Sequence, residues 1–276
     1  MKTIAFQGEL GAYSHDACLS ARPNCKALPC KSFEEVISAV NNNVADLAML
    51  PVENTTYGRI ADIHRLLPES GLHIIDEVFT RVKINLLGLP GERLEDIESA
   101  EAHLVLLPQA SAFLEENNIR GIRAVDSAGA AAALKESKTK GVGVLASKLA
   151  AEIYDLKILA ENIEDSDHNT TRFLLMSSSP DNTRRGDTKM MTTFIFQVRN
   201  IPAALYKAMG GFATNGVNMT KLESYMVGGS FSATQFYADI EGHPDDNNVK
   251  LAMDELSYFT QSISILGVYP ASSKRV

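Results

Sequence analysis

The 276-residue sequence has little that would tie it to nucleic acid, membrane or metal. It contains no basic run, and 26 Lys plus Arg against 34 Asp plus Glu leave a formal charge of −8 and a pI near 5.3. Nucleic-acid affinity comes mainly from neutralising phosphates, so no nucleic-acid partner is expected. No stretch approaches the length of a membrane helix. The apolar run in Met1-Lys2-Thr3-Ile4-Ala5-Phe6-Gln7-Gly8 also breaks too early to be the core of a signal peptide, so no membrane partner is expected either. The three cysteines, Cys18, Cys25 and Cys30, are odd in number and too widely spaced for a C-x-x-C pair. They read as reduced thiols in a cytoplasmic protein. The six histidines are scattered without metal-ligand spacing, so no metal is expected.

What is present is ordinary for a globular chain: 45% hydrophobic and 22% charged residues. At roughly 150 residues per domain, the length is just under two domains. The clearest boundary is Ser177-Ser178-Ser179-Pro180-Asp181-Asn182-Thr183-Arg184-Arg185-Gly186-Asp187, a run of turn residues between apolar segments. Before it, short apolar runs (3–7, 27–30, 45–52) alternate with helical stretches. Phe33, Val36, Ile37 and Val40 share one helical face, and Ser32 with Glu35 makes a capping box, so a helix over 33–41 is predicted. The rhythm restarts after Gly91 with strands at 102–107, 122–125 and 142–145, and helices over 109–118 and opening at Ser127 and Ser147. This βα alternation predicts an α/β fold with mostly parallel strands, arranged as two lobes around a cleft. Ligands in such folds sit at the carboxyl ends of strands. Beyond the boundary, a strand at 191–198, a helix opening at Ile201 with Pro202 in its first turn, a hairpin around Gly228-Gly229, a helix over 246–259 and a strand at 263–269 give the order βαββαβ. That is the ferredoxin-like plan.

Four motifs stand at strand ends. Gly8-Glu9-Leu10-Gly11-Ala12-Tyr13-Ser14-His15 lacks the G-x-G-x-x-G spacing, which argues against a dinucleotide. Ser14 is left either as a simple helix cap or as part of an anion site. Glu53-Asn54-Thr55 offers a carboxylate, an amide and a hydroxyl in succession, as turn or as site. Ser127, in Asp126-Ser127-Ala128-Gly129, caps a helix or binds an anion. Arg172, in His168-Asn169-Thr170-Thr171-Arg172-Phe173, follows the acid run Glu161, Glu164, Asp165, Asp167. It is either a salt bridge to that run or a carboxylate clamp.

Taken in order, Gly8–His15, Pro51-Val52-Glu53-Asn54, the run from Leu149 to Tyr154 leading to Asn169-Thr170-Thr171-Arg172-Phe173, and the C-terminal βαββαβ unit resemble prephenate dehydratase of phenylalanine biosynthesis. The C-terminal unit resembles an ACT domain. The resemblance implies a bilobed α/β catalytic domain over 1–178, like a type II periplasmic binding protein, with a crossover near 85–100. A linker over 179–189 and an ACT regulatory domain over 190–276 follow. It implies decarboxylative dehydration of prephenate to phenylpyruvate without metal or organic cofactor, or the same reaction on arogenate. A non-catalytic amino-acid-responsive binding protein is the alternative from another class. Carried over residue by residue, Thr171, Arg172 and Glu53 are the catalytic candidates. Ser14, Asn54, Thr55, Gln109, Ser127, Asn169, Thr170 and Phe173 are the substrate-binding candidates. The implied effector is L-phenylalanine, at Pro202, Ala203, Ala204, Leu205, Asn218, Met219, Thr220, Glu223 and Ser224. A homodimer or homotetramer is the implied assembly. The chain departs from the family where Ser-His-Pro-Gln is replaced by Leu106-Leu107-Pro108-Gln109, where Gly-Ala-Leu is Ala203-Ala204-Leu205, and where Glu-Ser-Arg-Pro is Glu223-Ser224-Tyr225-Met226.

Overall fold

The computed structural model describes residues 1–184, 186–226 and 233–275. It divides into two compact units, one of Met1–His64 with Val78–Leu174, the other of Arg65–Glu77 with Leu175–Val276. The elements in chain order are β1 (Thr3–Gln7), α1 (Tyr13–Ala21), β2 (Lys26–Cys30), α2 (Phe33–Asn41), β3 (Leu47–Asn54), β4 (Gly58–Arg59), α3 (Ala61–Leu66), β5 (His73–Arg81), β6 (Asn85–Gly88), β7 (Ser99–His103), α4 (Ser111–Glu116), β8 (Arg120–Ala124), α5 (Ser127–Ser137), β9 (Val142–Ala146), α6 (Lys148–Tyr154), β10 (Lys157–Ala160) and β11 (Thr170–Ser177). They continue with β12 (Met190–Val198), α7 (Ala204–Thr214), β13 (Met219–Met226), β14 (Ala233–Glu241), α8 (Asn247–Phe259) and β15 (Thr260–Pro270).

In the first unit, β1 runs parallel to β2 and β3, and β11 follows β3 in the sheet order. Strands β1 and β3 are apolar almost throughout, Ile4-Ala5-Phe6 and Leu47 to Val52 being buried, as expected of strands covered on both faces. Helix α2 forms with Val36, Ile37 and Val40 buried, but only half of the expected capping box is made: the Ser32 hydroxyl accepts from the Glu35 N–H at 3.2 Å, whereas the Glu35 carboxylate accepts from the Lys31 N–H at 2.8 Å and not from that of Ser32. A second sheet, ordered β10-β6-β9-β7-β8, begins at Asn85. Its β7 is parallel to β8 and β9, but β6 and β10 are antiparallel. The expectation of mostly parallel strands therefore fails at β6 and β10.

A further difference lies at β7. The expected strand over 102–107 is displaced to Ser99-Ala100-Glu101-Ala102-His103, and Leu107–Ala110 form a 3-10 turn before α4. The apolar string Leu104-Val105-Leu106-Leu107 looks like a strand, but Pro108 has no N–H to give a ladder and its fixed φ suits the first turn of a helix.

In the second unit, β12, α7, β13, β14, α8 and β15 follow the expected βαββαβ order, and the sheet runs β13-β14-β12-β15 with antiparallel neighbours. The turn expected at Gly228-Gly229 lies outside the described residues. Phe194, Phe196, Phe236 and Ile240 pack with Ala208, Phe212, Ala252 and Leu256 in one core between sheet and helices. Pro202 is not in the first turn of α7, which starts at Ala204. Ala203 caps that helix in the left-handed region at φ 60°, so the chain turns sharply before the helix begins. No helix among the described residues is long and apolar enough to cross a membrane.

Candidate active site

The first unit holds a cavity of about 450 Å³ whose wall is made where strands end and helices begin. The β1–α1 turn supplies Gly8, Gly11, Ala12, Tyr13 and Ser14, and the end of β3 with its turn supplies Asn54 and Tyr57. His103, Val105 and Gln109 follow β7, Asp126 and Ser127 follow β8, Ser147 follows β9, and Asn169 and Thr171 lead into β11. This is the carboxyl-end placement expected of α/β folds.

Gly11 shapes the first turn. Its φ is +92°, and a Cβ there would lie 2.8 Å from the Ala150 Cα, so only glycine permits this approach of the turn to α6. The Ser147 hydroxyl holds the same contact, donating to the Gly11 carbonyl at 2.6 Å while accepting from the Ala150 N–H at 3.0 Å. Behind the turn, His15 stacks on Phe6 and its Nδ1 accepts from the Gly11 N–H at 3.1 Å. Burial holds its pKa below the ordinary histidine value, against a smaller opposing pull from Asp16. Tyr13 donates to the Lys83 carbonyl at 2.8 Å, and burial, then Glu164 and Asp16, push its phenol pKa far up.

Helices α1, α5 and α6 begin at this wall, α6 with Ser147 as its N-cap. No side chain caps α1, whose N-cap is Ala12; Ser14 is inside the helix and is not its cap. Helix α5 is capped by Asp126, whose carboxylate accepts from the Gly129 N–H at 2.6 Å, so capping does not fall to Ser127. The Ser127 hydroxyl instead accepts from the His103 backbone N–H at 3.1 Å. Among the described lining residues there is no Lys or Arg. The starts of α1 and α5 carry the partial positive charge of helix N-termini, opposed at α5 by the Asp126 carboxylate that caps it.

The polar floor is a set of side-chain amides. Asn54 Oδ1 accepts from the backbone N–H groups of Thr56 at 2.9 Å and Tyr57 at 3.0 Å. That fixes its Nδ2 toward Asn169 Oδ1 at 2.7 Å and Thr171 Oγ1 at 2.9 Å. Asn169 Nδ2 donates in turn to Gln109 Oε1, and Gln109 Nε2 donates to the Val105 carbonyl at 2.6 Å and the Tyr57 hydroxyl at 3.3 Å.

Of the candidates named from sequence, Ser14, Asn54, Gln109, Ser127, Asn169 and Thr171 come together at this wall. Thr55, Thr170, Phe173, Glu53 and Arg172 are not among its described lining residues. Side chains alternate along a strand, so Thr171 and Arg172 face opposite ways. The Arg172 guanidinium is 3% exposed and donates to Glu53 Oε1 at 2.9 Å. Thr55 Oγ1 donates to the His168 carbonyl at 2.6 Å and accepts from the Thr170 N–H at 2.9 Å, tying the β3–β4 turn to β11. Phe173 is core. Two members of the acid run accept from backbone groups, Asp165 from the N–H groups of Ser111 at 3.0 Å and Ala112 at 3.2 Å and Glu164 from that of Ile84 at 2.9 Å, and Glu164 also pairs with Arg81 at 3.6 Å.

Sequence reasoning missed Tyr57, His103, Asp126 and Ser147. The last three stand at the ends of β7, β8 and β9, a signal that a uniform search of strand ends would have used. Although Leu106-Leu107 replace a Ser-His pair, His103 puts an imidazole in the wall. Its Nδ1 accepts from the Val105 N–H at 3.3 Å, so a neutral ring carries its proton on Nε2.

The residues named for an effector lie in the second unit. Pro202 to Leu205 form the turn into α7, and Asn218 to Ser224 run into and along β13. Met219 packs on the α7–α8 core, Thr220 Oγ1 accepts from Arg275 at 3.2 Å, and Glu223 pairs with Lys221 at 3.5 Å.

Comparison with known proteins gives a consistent picture. The family model described as prephenate dehydratase matches residues 4–181. A Komagataeibacter europaeus protein named as a bifunctional N-acyl-homoserine lactone acylase/prephenate dehydratase is 50% identical over 274 residues, covering 99% of this chain and 98% of that protein. The Arabidopsis thaliana chloroplastic protein named arogenate dehydratase/prephenate dehydratase 1 is 39% identical over 281 residues, covering 97% of this chain and 71% of that one. The crystal structure of prephenate dehydratase from Arthrobacter aurescens in complex with L-Phe aligns with a TM-score of 0.88 and 26% identity, covering 99% and 91% of the two chains.

Proposed function

The chain belongs to the prephenate dehydratase family, and we propose from this that its cavity dehydrates prephenate to phenylpyruvate with loss of CO2. The ring carboxylate leaves as CO2, its bonding electrons make the ring aromatic, and the ring C–O bond breaks to expel hydroxide, which a proton converts to water. The enzyme's task is to orient a dianion and to assist the departing oxygen. The observation that carries this reading is the Thr171 hydroxyl in the cavity wall, one lone pair taken by Asn54 Nδ2 at 2.9 Å. Its O–H is thereby left to donate to the leaving oxygen. The starts of α1 and α5, with Ser14 and Ser127, hold the carboxylates.

Arogenate, with an amine in place of the ketone, fits the same chemistry and would give phenylalanine directly; the plant relative's name carries both activities. The acylase in the name of the Komagataeibacter protein is less well supported by this wall. Among its described residues no serine hydroxyl is hydrogen-bonded to an imidazole nitrogen, the pairing that activates a serine nucleophile.

Residues 1–178 form the catalytic domain in this reading, with two lobes meeting at the cavity, 179–189 a linker, and 190–276 an ACT domain that binds L-phenylalanine as feedback inhibitor, in a dimer or tetramer. The βαββαβ order and the L-Phe in the Arthrobacter protein support it. The test is to incubate purified protein separately with prephenate, arogenate and an N-acyl-homoserine lactone and to identify products. Phenylpyruvate from prephenate is expected, and no product from either cyclohexadiene acid sinks the reading. Calorimetric titration with phenylalanine tests the effector site.

A further inference from the structure

Tyr57 lies in the turn between β3 and β4, half exposed at the cavity wall, and it touches both ends of the amide set. Its backbone N–H donates to Asn54 Oδ1 at 3.0 Å, and its hydroxyl accepts from Gln109 Nε2 at 3.3 Å. With Asn54 donating to Asn169 and Asn169 to Gln109, the four residues form a closed ring in which every hydrogen bond runs the same way round. Reversing one amide would set donor against donor and acceptor against acceptor, so the direction of each fixes the others. Such a chain polarises cooperatively. Thr171 hangs from this ring through the second proton of Asn54 Nδ2.

The phenol is the member that is not an amide, and it is anchored independently, donating to the Val105 carbonyl at 2.8 Å. With its one proton committed to Val105, the hydroxyl can only accept from Gln109. Gln109 Nε2 is thus held by two acceptors, Val105 and Tyr57, and its Oε1 is presented to Asn169.

We propose that Tyr57 is a positioning residue that closes the Asn54–Asn169–Gln109 ring and, through it, tightens the hold of Asn54 on the Thr171 hydroxyl. The proposal rests on the dehydratase reading for its kinetic consequence but not for the ring itself. Phenylalanine at this position keeps the aromatic ring and the backbone donation to Asn54, and removes only the oxygen that closes the circle.

The kinetic test compares Tyr57→Phe, Asn54→Ala and the double variant. Loss of one neutral hydrogen bond should lower kcat of Tyr57→Phe about three- to tenfold while KM changes less than about twofold. The double variant should be no slower than Asn54→Ala alone, since both act through Thr171. Wild-type kcat in Tyr57→Phe, or additive losses in the double variant, overturns the proposal. If the wild-type protein turns over neither substrate, the dehydratase reading falls, and the ring is decided by NMR of the side-chain amide protons. Tyr57→Phe should speed their exchange at Gln109 and Asn169 about three- to tenfold; unchanged rates at both overturn the proposal.

Discussion

The side-chain amide of Asn54 donates to the Thr171 hydroxyl at 2.9 Å, joining residues 117 positions apart in the chain. A hydroxyl has one proton and two lone pairs, so this bond occupies an acceptor and leaves the donor. Thr171 is a weak acid, but a donor held at the leaving oxygen need only strengthen its hydrogen bond as negative charge develops there.

Thr171→Ala should therefore lower kcat about a hundredfold or more, the scale of removing one aligned donor or proton-transfer group. Thr171→Ser keeps the oxygen and should lose less than about tenfold. Steady-state kinetics on folded protein, checked by circular dichroism, decides it. An alanine variant with wild-type kcat would falsify the assignment.

Arg172 stands one residue on and faces Glu53 at 2.9 Å. With Arg172 3% exposed and Glu53 31%, removal of the guanidinium takes this cation from a half-buried carboxylate and empties a large packed volume. Arg172→Ala should cost about 2–4 kcal/mol in chemical denaturation, toward the scale of breaking a buried pair. Arg172→Lys cannot reproduce the planar fork and should lose part of the same stability. At a temperature where Arg172→Lys remains folded, KM should stay near wild type. A large rise in KM with unchanged stability would return Arg172 to the substrate.

Much of this was legible in the chain. Helix α2 was written in its Ser32 cap and in the spacing of Phe33 to Val40, because capping and amphipathic periodicity are local; only the return bond of Glu35 went one residue upstream, to Lys31. Asn54, Asn169 and Thr171 were identifiable as a set only through resemblance; nothing local says that residues 117 apart hydrogen-bond. Arg172 shows why charge alone does not place a residue: along the strand Thr170–Ser177 neighbouring side chains alternate, so the cation next to Thr171 lies buried against Glu53 and is not among the described lining residues of the cavity. Tyr57 carried no signal at all, since its role depends on a turn conformation and on where Val105 and Gln109 come to rest.

Ala203 occupies the left-handed region at φ 60°, at the position where relatives carry glycine by the resemblance above. A Cβ there is disfavoured by about 1 kcal/mol, part of which glycine returns as unfolded-chain entropy. Ala203→Gly should therefore raise stability by about 0.5 kcal/mol or leave it unchanged, whereas a valine, branched at Cβ, should lower it by more than about 1 kcal/mol. Denaturant midpoints of the three proteins give the order. Glycine clearly less stable than alanine would show that this turn is not strained.

His15 gives the first unit a pH dependence whose direction follows from its surroundings. The ring is 8% exposed, stacked on Phe6 with centroids 5.5 Å apart, and its Nδ1 accepts from the Gly11 N–H at 3.1 Å. Protonation would set a second donor against that N–H and charge a buried ring, and burial accordingly lowers the folded-state pKa below the ordinary 6.5. Between the lowered pKa and 6.5, the unfolded chain binds more proton than the folded one, so stability rises with pH across that window. The stabilisation is complete above the ordinary value and is lost as pH falls toward the folded one. Replacing His15 with Gln keeps a hydrogen-bond acceptor but removes the titration. From about pH 7 down to about pH 5, wild-type stability should fall more steeply than that of His15→Gln. Because Gly11 also lines the cavity, KM should rise on the same limb in the wild type alone. Parallel stability curves for the two proteins would show that His15 is not the titrating group.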